Sequence, residues 1–180
     1  MDNIQHMTRQ DWNELNEVQK AAAYRAFTSE QRVRFWHDKL EEVKMLDWTE
    51  EEFRHICLVD SFIDAHTDLL SGKKLTDNQL NTLEVFFYLW EKNAEKKFGW
   101  SPRIAISIAG SGNTLIDTKG NVAIKGKELL ETRGSCNCNT FVLSDFCMYD
   151  GHCKSTMCDE MLGCGWLLIQ SCNGECSGID

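Results

Sequence analysis

Proline is almost missing from this chain, which has one proline among its 180 residues, and positive charge is in deficit. Because proline interrupts helices, its scarcity leaves room for long ones. Lysine and arginine number 19 against 28 aspartate and glutamate residues, so the formal net charge is −9. Nucleic acids and anionic membranes attract proteins with an excess of positive charge. We therefore expect no nucleic-acid partner.

Long apolar runs are missing as well. No stretch approaches the ~18 consecutive apolar residues of a membrane-spanning helix, so we expect no transmembrane segment. Residues 1–30 also lack the apolar core and the small-residue cleavage pattern of a secretory signal peptide. If the protein is exported, we expect either a leader that this sequence does not include or a different export route.

Cysteine, in contrast, is abundant and strongly clustered. Of nine cysteines, eight lie near the C-terminus: Cys136, Cys138, Cys147, Cys153, Cys158, Cys164, Cys172 and Cys176. Their density is well above the ~8–10% that is typical of disulfide scaffolds. A segment this short buries too little apolar surface to fold unaided, so it needs cross-links or a metal. The even number predicts four disulfide bonds in a separate module, residues 135–180.

Zinc binding and reactive thiols are the alternatives to disulfides. Zinc sites commonly use Cys-x-x-Cys pairs, which do not occur here, and His152 is the only histidine in the module. The Cys136-Asn137-Cys138 sequence is a thiol-exchange candidate, but thioredoxin-like chemistry uses Cys-x-x-Cys at a helix start. We therefore expect no metal and no cofactor. Which cysteines pair with each other is not determined by their spacing.

Disulfide bonds also indicate a compartment. They persist in oxidising surroundings and are reduced in most cytosols. We therefore expect a secreted, periplasmic or cell-surface protein, although no signal peptide is visible.

Helix start signals divide the N-terminal part of the chain. Capping boxes begin at Thr28, Thr49 and Thr76, where a threonine and a residue three positions later each bond the other's backbone. Apolar residues follow at helical spacing, as in Trp36 and Leu40. The sequence predicts a mainly α fold: a bundle of five or six helices over residues 1–109, with a small disulfide-rich C-terminal module.

One predicted helix is apolar on two faces, which is typical of a central helix. Its two stripes are Phe53, Ile56, Val59 and Ile63, and Leu58, Phe62, Ala65 and Leu69.

No catalytic constellation stands out in the helical part. His37 with Asp38 and His66 with Asp68 are not at the i, i+4 spacing that places two ligands on one helix face. Cys57 is most simply a small buried apolar residue. We expect no catalytic residues and no enzymatic activity.

Residues 110–134 lose helical periodicity and contain several glycines, which predicts a connector. Segments 114–116 and 121–124 are candidates for a small hairpin. The basic stretch 125–133 is flanked by glycine and is the segment that a protease would cut most easily.

The C-terminal stretch resembles the bacteriocin fulvocin C-related proteins, a bacterial family. Four short segments carry the likeness: Ser135-Cys136-Asn137-Cys138, Ser144-Asp145-Phe146-Cys147, Gly163-Cys164-Gly165-Trp166 and Cys172-Asn173-Gly174. The order and approximate spacing of the eight cysteines match over about a quarter of the chain. The resemblance implies a shared disulfide scaffold and an exported, antimicrobial, bacteriocin-like protein.

Charge limits how such a module can act on cells. Residues 135–180 contain six carboxylate residues and one lysine, a net charge of −5. Peptides that disrupt membranes combine a basic face with an apolar face, and the basic face is missing. A protein or glycan receptor is therefore the expected partner. Trp166, Leu167, Leu168 and Ile169 form the candidate contact surface, and they are equally interpretable as the core of the module or as its docking surface on the helices.

Three functional hypotheses result. The first is a non-enzymatic, extracellular, bacteriocin-like protein, with the helical part as carrier or pro-region and the module as effector. The second is an uncleaved cell-surface or extracellular binding or adhesion protein. The third is a thiol-disulfide redox or zinc-binding protein.

Overall fold

Helices dominate the chain before residue 110. The computed structural model describes residues 2–123, 136, 138–140, 147 and 152–177. The α-helices are α1 (Asp2–Gln5), α2 (Arg9–Asn13), α3 (Glu17–Ala26), α4 (Ser29–Lys44), α5 (Glu50–Ala65), α6 (Asp77–Phe98) and α7 (Pro102–Ala109). A 3₁₀ turn, Thr67–Leu70, lies between α5 and α6. The prediction of a mainly α fold with a disulfide-rich C-terminal module is confirmed.

Capping residues explain where the main helices begin. The boxes predicted at Thr28, Thr49 and Thr76 are all present, and Thr8 and Asn16 form two more. Each cap satisfies backbone N–H groups that have no partner inside the helix, which is worth about 1 kcal/mol. The sequence therefore determines the start of five helices locally.

Aromatic side chains fill the space between the helices. Phe62 of α5 stacks on Phe86 of α6 with ring centroids 4.0 Å apart. Trp36 and Leu40 of α4 are fully buried in the same core, as is Phe87 of α6. Such tightly packed rings stabilise a helix pair beyond the area that they bury.

Helix α5 lies less centrally than its sequence predicts. Ile56, Val59 and Ile63 of the first stripe are fully buried, as expected. Leu58 of the second stripe is 48% exposed, and Ala65 is exposed as well. The second face is thus only partly covered: Phe62 packs on Phe86 of α6, whereas Leu58 and Ala65 are exposed.

The segment after α7 includes part of the predicted hairpin. Leu115 and Val122 form an antiparallel bridge. Between them the Asp117 carboxylate accepts hydrogen bonds from the backbone N–H groups of Lys119 (2.9 Å) and Asn121 (3.2 Å). The basic stretch 125–133 lies outside the described residues.

The C-terminal module contains four short strands. They are β1 (His152–Lys154), β2 (Met161–Cys164), β3 (Gln170–Cys172) and β4 (Glu175–Ser177). Strand β1 pairs with β4 and β2 with β3, both antiparallel. A 3₁₀ turn, Trp166–Leu168, connects β2 to β3. Within the described ranges, no helix has the length and apolar character needed to cross a membrane.

His55 joins α5 to α6 inside an aromatic enclosure. Its ring stacks on Trp90 with centroids 5.3 Å apart, and it is only 8% exposed. The His55 Nε2 donates to the Trp90 carbonyl at 2.9 Å, and Trp90 Nε1 donates to the His55 carbonyl at 2.9 Å. Burial disfavours the charged imidazole and lowers the pKa of His55 below its ordinary value of 6.5.

This burial predicts a contribution of His55 to acid sensitivity. A lowered pKa in the folded state means that the unfolded chain binds the proton more readily, so stability falls as the pH drops below about 6.5. As the pH is lowered through this range, we expect the unfolding free energy of His55→Phe to fall less steeply than that of the wild type. The difference between the two slopes is at most about 1.4 kcal/mol per pH unit. Urea unfolding followed by tryptophan fluorescence at several pH values measures it. The control His6→Gln, at an exposed position, should keep the wild-type slope, and a wild-type slope in His55→Phe would contradict the assignment.

Candidate functional site

Four disulfide bonds hold the C-terminal module together. They join Cys136 to Cys158, Cys138 to Cys153, Cys147 to Cys176, and Cys164 to Cys172. All eight cysteines predicted to form disulfides do so. Cys57 carries a free thiol and is half-buried in α5. Four disulfides in so short a segment indicate an oxidising environment outside the cytosol.

A loop of the module penetrates the helical core. We call residues 165–169 the plug loop. Trp166, Leu167 and Ile169 are 2%, 1% and 5% exposed and belong to the same apolar core as the helices. The Trp166 ring stacks on Phe87 of α6 with centroids 4.5 Å apart. The module therefore packs on the helices through its most apolar segment.

The backbone of the plug loop is hydrogen-bonded inside this core. The Leu167 carbonyl accepts from the Tyr24 hydroxyl (2.7 Å) and from Trp36 Nε1 (3.0 Å). Trp36 Nε1 also donates to the Tyr24 hydroxyl at 2.8 Å. Burial strongly raises the pKa of Tyr24, so its hydroxyl stays protonated and available as a donor. Helices α3 and α4 thus provide both partners of one buried carbonyl.

The plug loop also contains unfavourable backbone conformations. Leu167 and Leu168 both have φ of 53°, in the left-handed region. Each such residue costs on the order of 1–3 kcal/mol and persists only where surrounding contacts enforce it. Gly165 has φ of 69°, and a Cβ there would lie 1.9 Å from Gln170 Oε1. That same Oε1 accepts from the Trp166 N–H at 2.8 Å, so the start of the loop requires glycine.

These contacts bear on the three interpretations of residues 166–169. Trp166, Leu167 and Ile169 pack against the helices, which agrees with the interpretation as a docking surface. Leu168 is half-buried. The buried side chains are not available to a partner in this arrangement. A contact role after release from the helices stays a prediction.

Three buried cations fix the loop that follows α7, and Lys39 is the deepest of them. It is 0% exposed, and its Nζ donates to the carbonyls of Ser107 (2.8 Å), Asn113 (2.7 Å) and Ser111. Burial lowers the pKa of Lys39, and Arg9 adds to this effect. The three carbonyl acceptors match the three N–H donors of the charged ammonium group, whereas a neutral amine has only two N–H donors. These hydrogen bonds therefore favour the charged form and oppose the lowering of the pKa.

Arg9 and Lys20 hold the same loop from its other side. Arg9 forms a two-point ion pair with Glu42 at 2.8 and 2.9 Å and donates to the Gly112 carbonyl at 2.8 Å. Lys20 Nζ donates to Asn113 Oδ1 at 2.7 Å and to Glu17 at 3.0 Å. Residues 110–113, predicted as the start of a connector, are therefore buried and held at fixed positions.

A groove of about 530 Å³ runs along the junction of helices and module. We call it the joint groove. Its helical side is lined by Lys74, Leu75, Leu80 and Glu84, and its module side includes Asn139, Gln170, Ser171 and Asn173. Gln170 Nε2 donates to Glu84 at 3.3 Å across the junction, and burial raises the pKa of Glu84. The groove combines amide, hydroxyl and charged side chains with the apolar side chains of Leu75, Leu80, Leu162 and Ile169.

The histidines singled out in the sequence have structural partners. His37 lies between two carboxylates of α5, 3.0 Å from Asp60 and 3.2 Å from Asp64, rather than beside Asp38. His66 packs on the ring of Phe62 with centroids 4.6 Å apart. The first contact joins α4 to α5 and the second stays within the α5 region. That the protein is not an enzyme stays a prediction.

Comparison with known proteins returns nothing: no family model, no curated protein and no solved structure matches this chain. The resemblance to bacteriocin fulvocin C-related proteins therefore stays a prediction.

The Tyr24 hydroxyl provides a test of how the plug loop is held. In Tyr24→Phe, we expect the free energy of unfolding to fall by about 1 kcal/mol, because Trp36 still donates to the Leu167 carbonyl. Chemical denaturation of the oxidised protein measures it. Tyr88→Phe on the exposed side of α6 should change stability by less than about 0.5 kcal/mol. Equal stability of the two variants would contradict the role given to Tyr24.

Proposed function

We propose that this chain is an exported, non-enzymatic binding protein that acts uncleaved and recognises a protein or glycan partner outside the cell. The observation that carries the proposal is the insertion of the plug loop into the helical core. A module attached in this way acts as one unit with the helices. The four disulfides support a location in an oxidising environment.

The helical domain and the module each depend on the other for burial. Burying a large apolar side chain is worth about 1.5–3 kcal/mol, and the plug loop inserts three of them. Among the described residues of the module, the buried cluster that does not involve the helices consists of Cys136, Cys164 and Cys172 packed with Cys158. Without the plug loop, Phe87 loses its stacked partner. Separation is therefore unfavourable for both parts.

The joint groove is the proposed binding site. Its two walls come from α6 with the residues before it and from the module, so it exists only while the module is docked on the helices. Its mixed lining of hydrogen-bonding and apolar side chains suits a peptide or sugar surface, and the net charge of −5 on the module disfavours an anionic lipid surface.

A second candidate is the bacteriocin-like effector released from a helical pro-region. One observation favours it: the helices cover Trp166, Leu167 and Ile169, so release of the module would expose an apolar surface. The resemblance to bacteriocin fulvocin C-related proteins supports this candidate as well. In it, the helical part masks the effector until cleavage.

Cleavage of the chain separates the two proposals. A protease site is introduced within residues 124–135, and the oxidised protein is cut and analysed by native gel filtration. All four disulfides lie after this segment, so the two pieces are not covalently linked. We expect them to co-elute, and the same chain carrying Leu167→Asp to separate. Separation without that substitution, with growth inhibition of bacteria by the freed module alone, would favour the effector.

Binding at the joint groove is tested on whole bacterial cells with the fluorescently labelled, uncleaved chain. Lys74→Glu changes a groove residue, and Lys92→Glu makes the same charge change on an exposed part of α6 outside the groove. We expect Lys74→Glu to weaken binding about tenfold, equivalent to ~1.4 kcal/mol, and Lys92→Glu to bind as the wild type does. Equal binding by the two variants would exclude the groove as the site.

A further inference from the structure

Two of the four disulfides lie directly against each other. The Sγ atoms of Cys138, Cys147 and Cys153 are all within 4.8 Å of one another. Cys176 is bonded to Cys147, so its sulfur is adjacent to one member of this group of three. This is the one group of potential metal-ligating side chains with such spacing that is found in the described part of the chain. Three sulfur atoms from two disulfides thus lie within 4.8 Å of one another, and the fourth is bonded to one of them.

The backbone that carries these cysteines is paired independently of the sulfur bonds. Cys153 on β1 and Cys176 on β4 are opposite each other in the antiparallel register. Cys138 forms an isolated bridge with Gly174, whose N–H donates to the Cys138 carbonyl at 3.1 Å. Three of the four cysteines therefore belong to one hydrogen-bonded framework. That framework can keep them close when the disulfides are absent.

We infer that the reduced chain binds one zinc ion through Cys138, Cys147, Cys153 and Cys176. Tetrahedral zinc-thiolate sites have Zn–S distances of about 2.3 Å, which places the sulfurs about 3.8 Å apart. That separation fits within the 4.8 Å spread of the three sulfurs, and Cys176, opposite Cys153 on the neighbouring strand, provides the fourth thiolate. His152 alternates with Cys153 along β1, so its side chain points to the opposite face of the strand and is not a ligand.

A phosphine reduces the two disulfides to thiols before zinc binds. Each S–S bond breaks as the phosphine loses two electrons and takes an oxygen atom from water to become its oxide, leaving two thiols. Four thiols then lose four protons as Zn²⁺ binds, which gives a site with a net charge of −2. Zinc and the two disulfides are alternative states of the same four sulfurs. In an oxidising environment the two disulfides stabilise this part of the module. In a reducing compartment the zinc ion stabilises it instead.

The test uses the full chain, reduced anaerobically with a phosphine and then desalted. Zinc is titrated against a chromophoric chelator, and Co²⁺ serves as a spectroscopic probe of tetrahedral thiolate coordination. We expect one zinc ion per chain. Near-ultraviolet circular dichroism reports whether the tryptophan core of the helical domain remains intact. Absence of zinc binding by the reduced wild-type chain would overturn the inference.

Matched pairs of substitutions locate the site. Cys138→Ser with Cys153→Ser removes two ligands, whereas Cys164→Ser with Cys172→Ser removes a disulfide outside the cluster. We expect zinc affinity to fall at least about 100-fold in the first variant and to be retained in the second. Cys147→Ser alone, a milder change, should also weaken binding and abolish the tetrahedral cobalt spectrum. Equal affinity in the first two variants would contradict the assignment of the ligands.

Discussion

The carbonyl of Leu167 is the group on which the arrangement of the two parts depends. A buried carbonyl without a hydrogen-bond partner lowers the stability of the fold by about 1–3 kcal/mol. A loop therefore enters an apolar core only where the core provides hydrogen-bond donors for its carbonyl groups. Tyr24 and Trp36 provide these donors from two different helices. They therefore define one depth and one orientation for the plug loop. The joint groove follows from that orientation, since its module wall is continuous with the same loop.

Covalent and non-covalent constraints act together on the plug loop. The Cys164–Cys172 disulfide closes the short segment that contains the loop, with a sequence separation of 8. Cross-linking removes conformations that the unfolded segment would otherwise sample, which helps to offset the unfavourable φ angles of Leu167 and Leu168. The helices provide the apolar surroundings that the small module cannot. Neither constraint alone accounts for two consecutive left-handed leucines.

Local features of the sequence predict this structure well, whereas contacts between distant residues are not predictable from it. The capping threonines determine helix starts because their hydrogen bonds join residues three positions apart. The spacing of Trp36 predicts that it faces inward, but its partner is 131 residues away in the chain. The cysteine density predicts disulfides, while their pairing depends on the path of the backbone. His55 has no partner at helical spacing, so no sequence signal marks it.

The buried cations explain how a segment rich in glycine becomes a fixed support. Ser107 lies in the last turn of α7, where backbone carbonyls lack helical partners and attract positive charge. Lys39 bonds that carbonyl and those of Ser111 and Asn113, so it ends the helix and fixes the direction of the chain beyond it. Arg9 secures Gly112 in the same place. The cations thus hold the loop after α7 on the helices, and the plug loop in the core positions the module. Its position relative to the helices is therefore set by packing rather than by the length of the intervening chain.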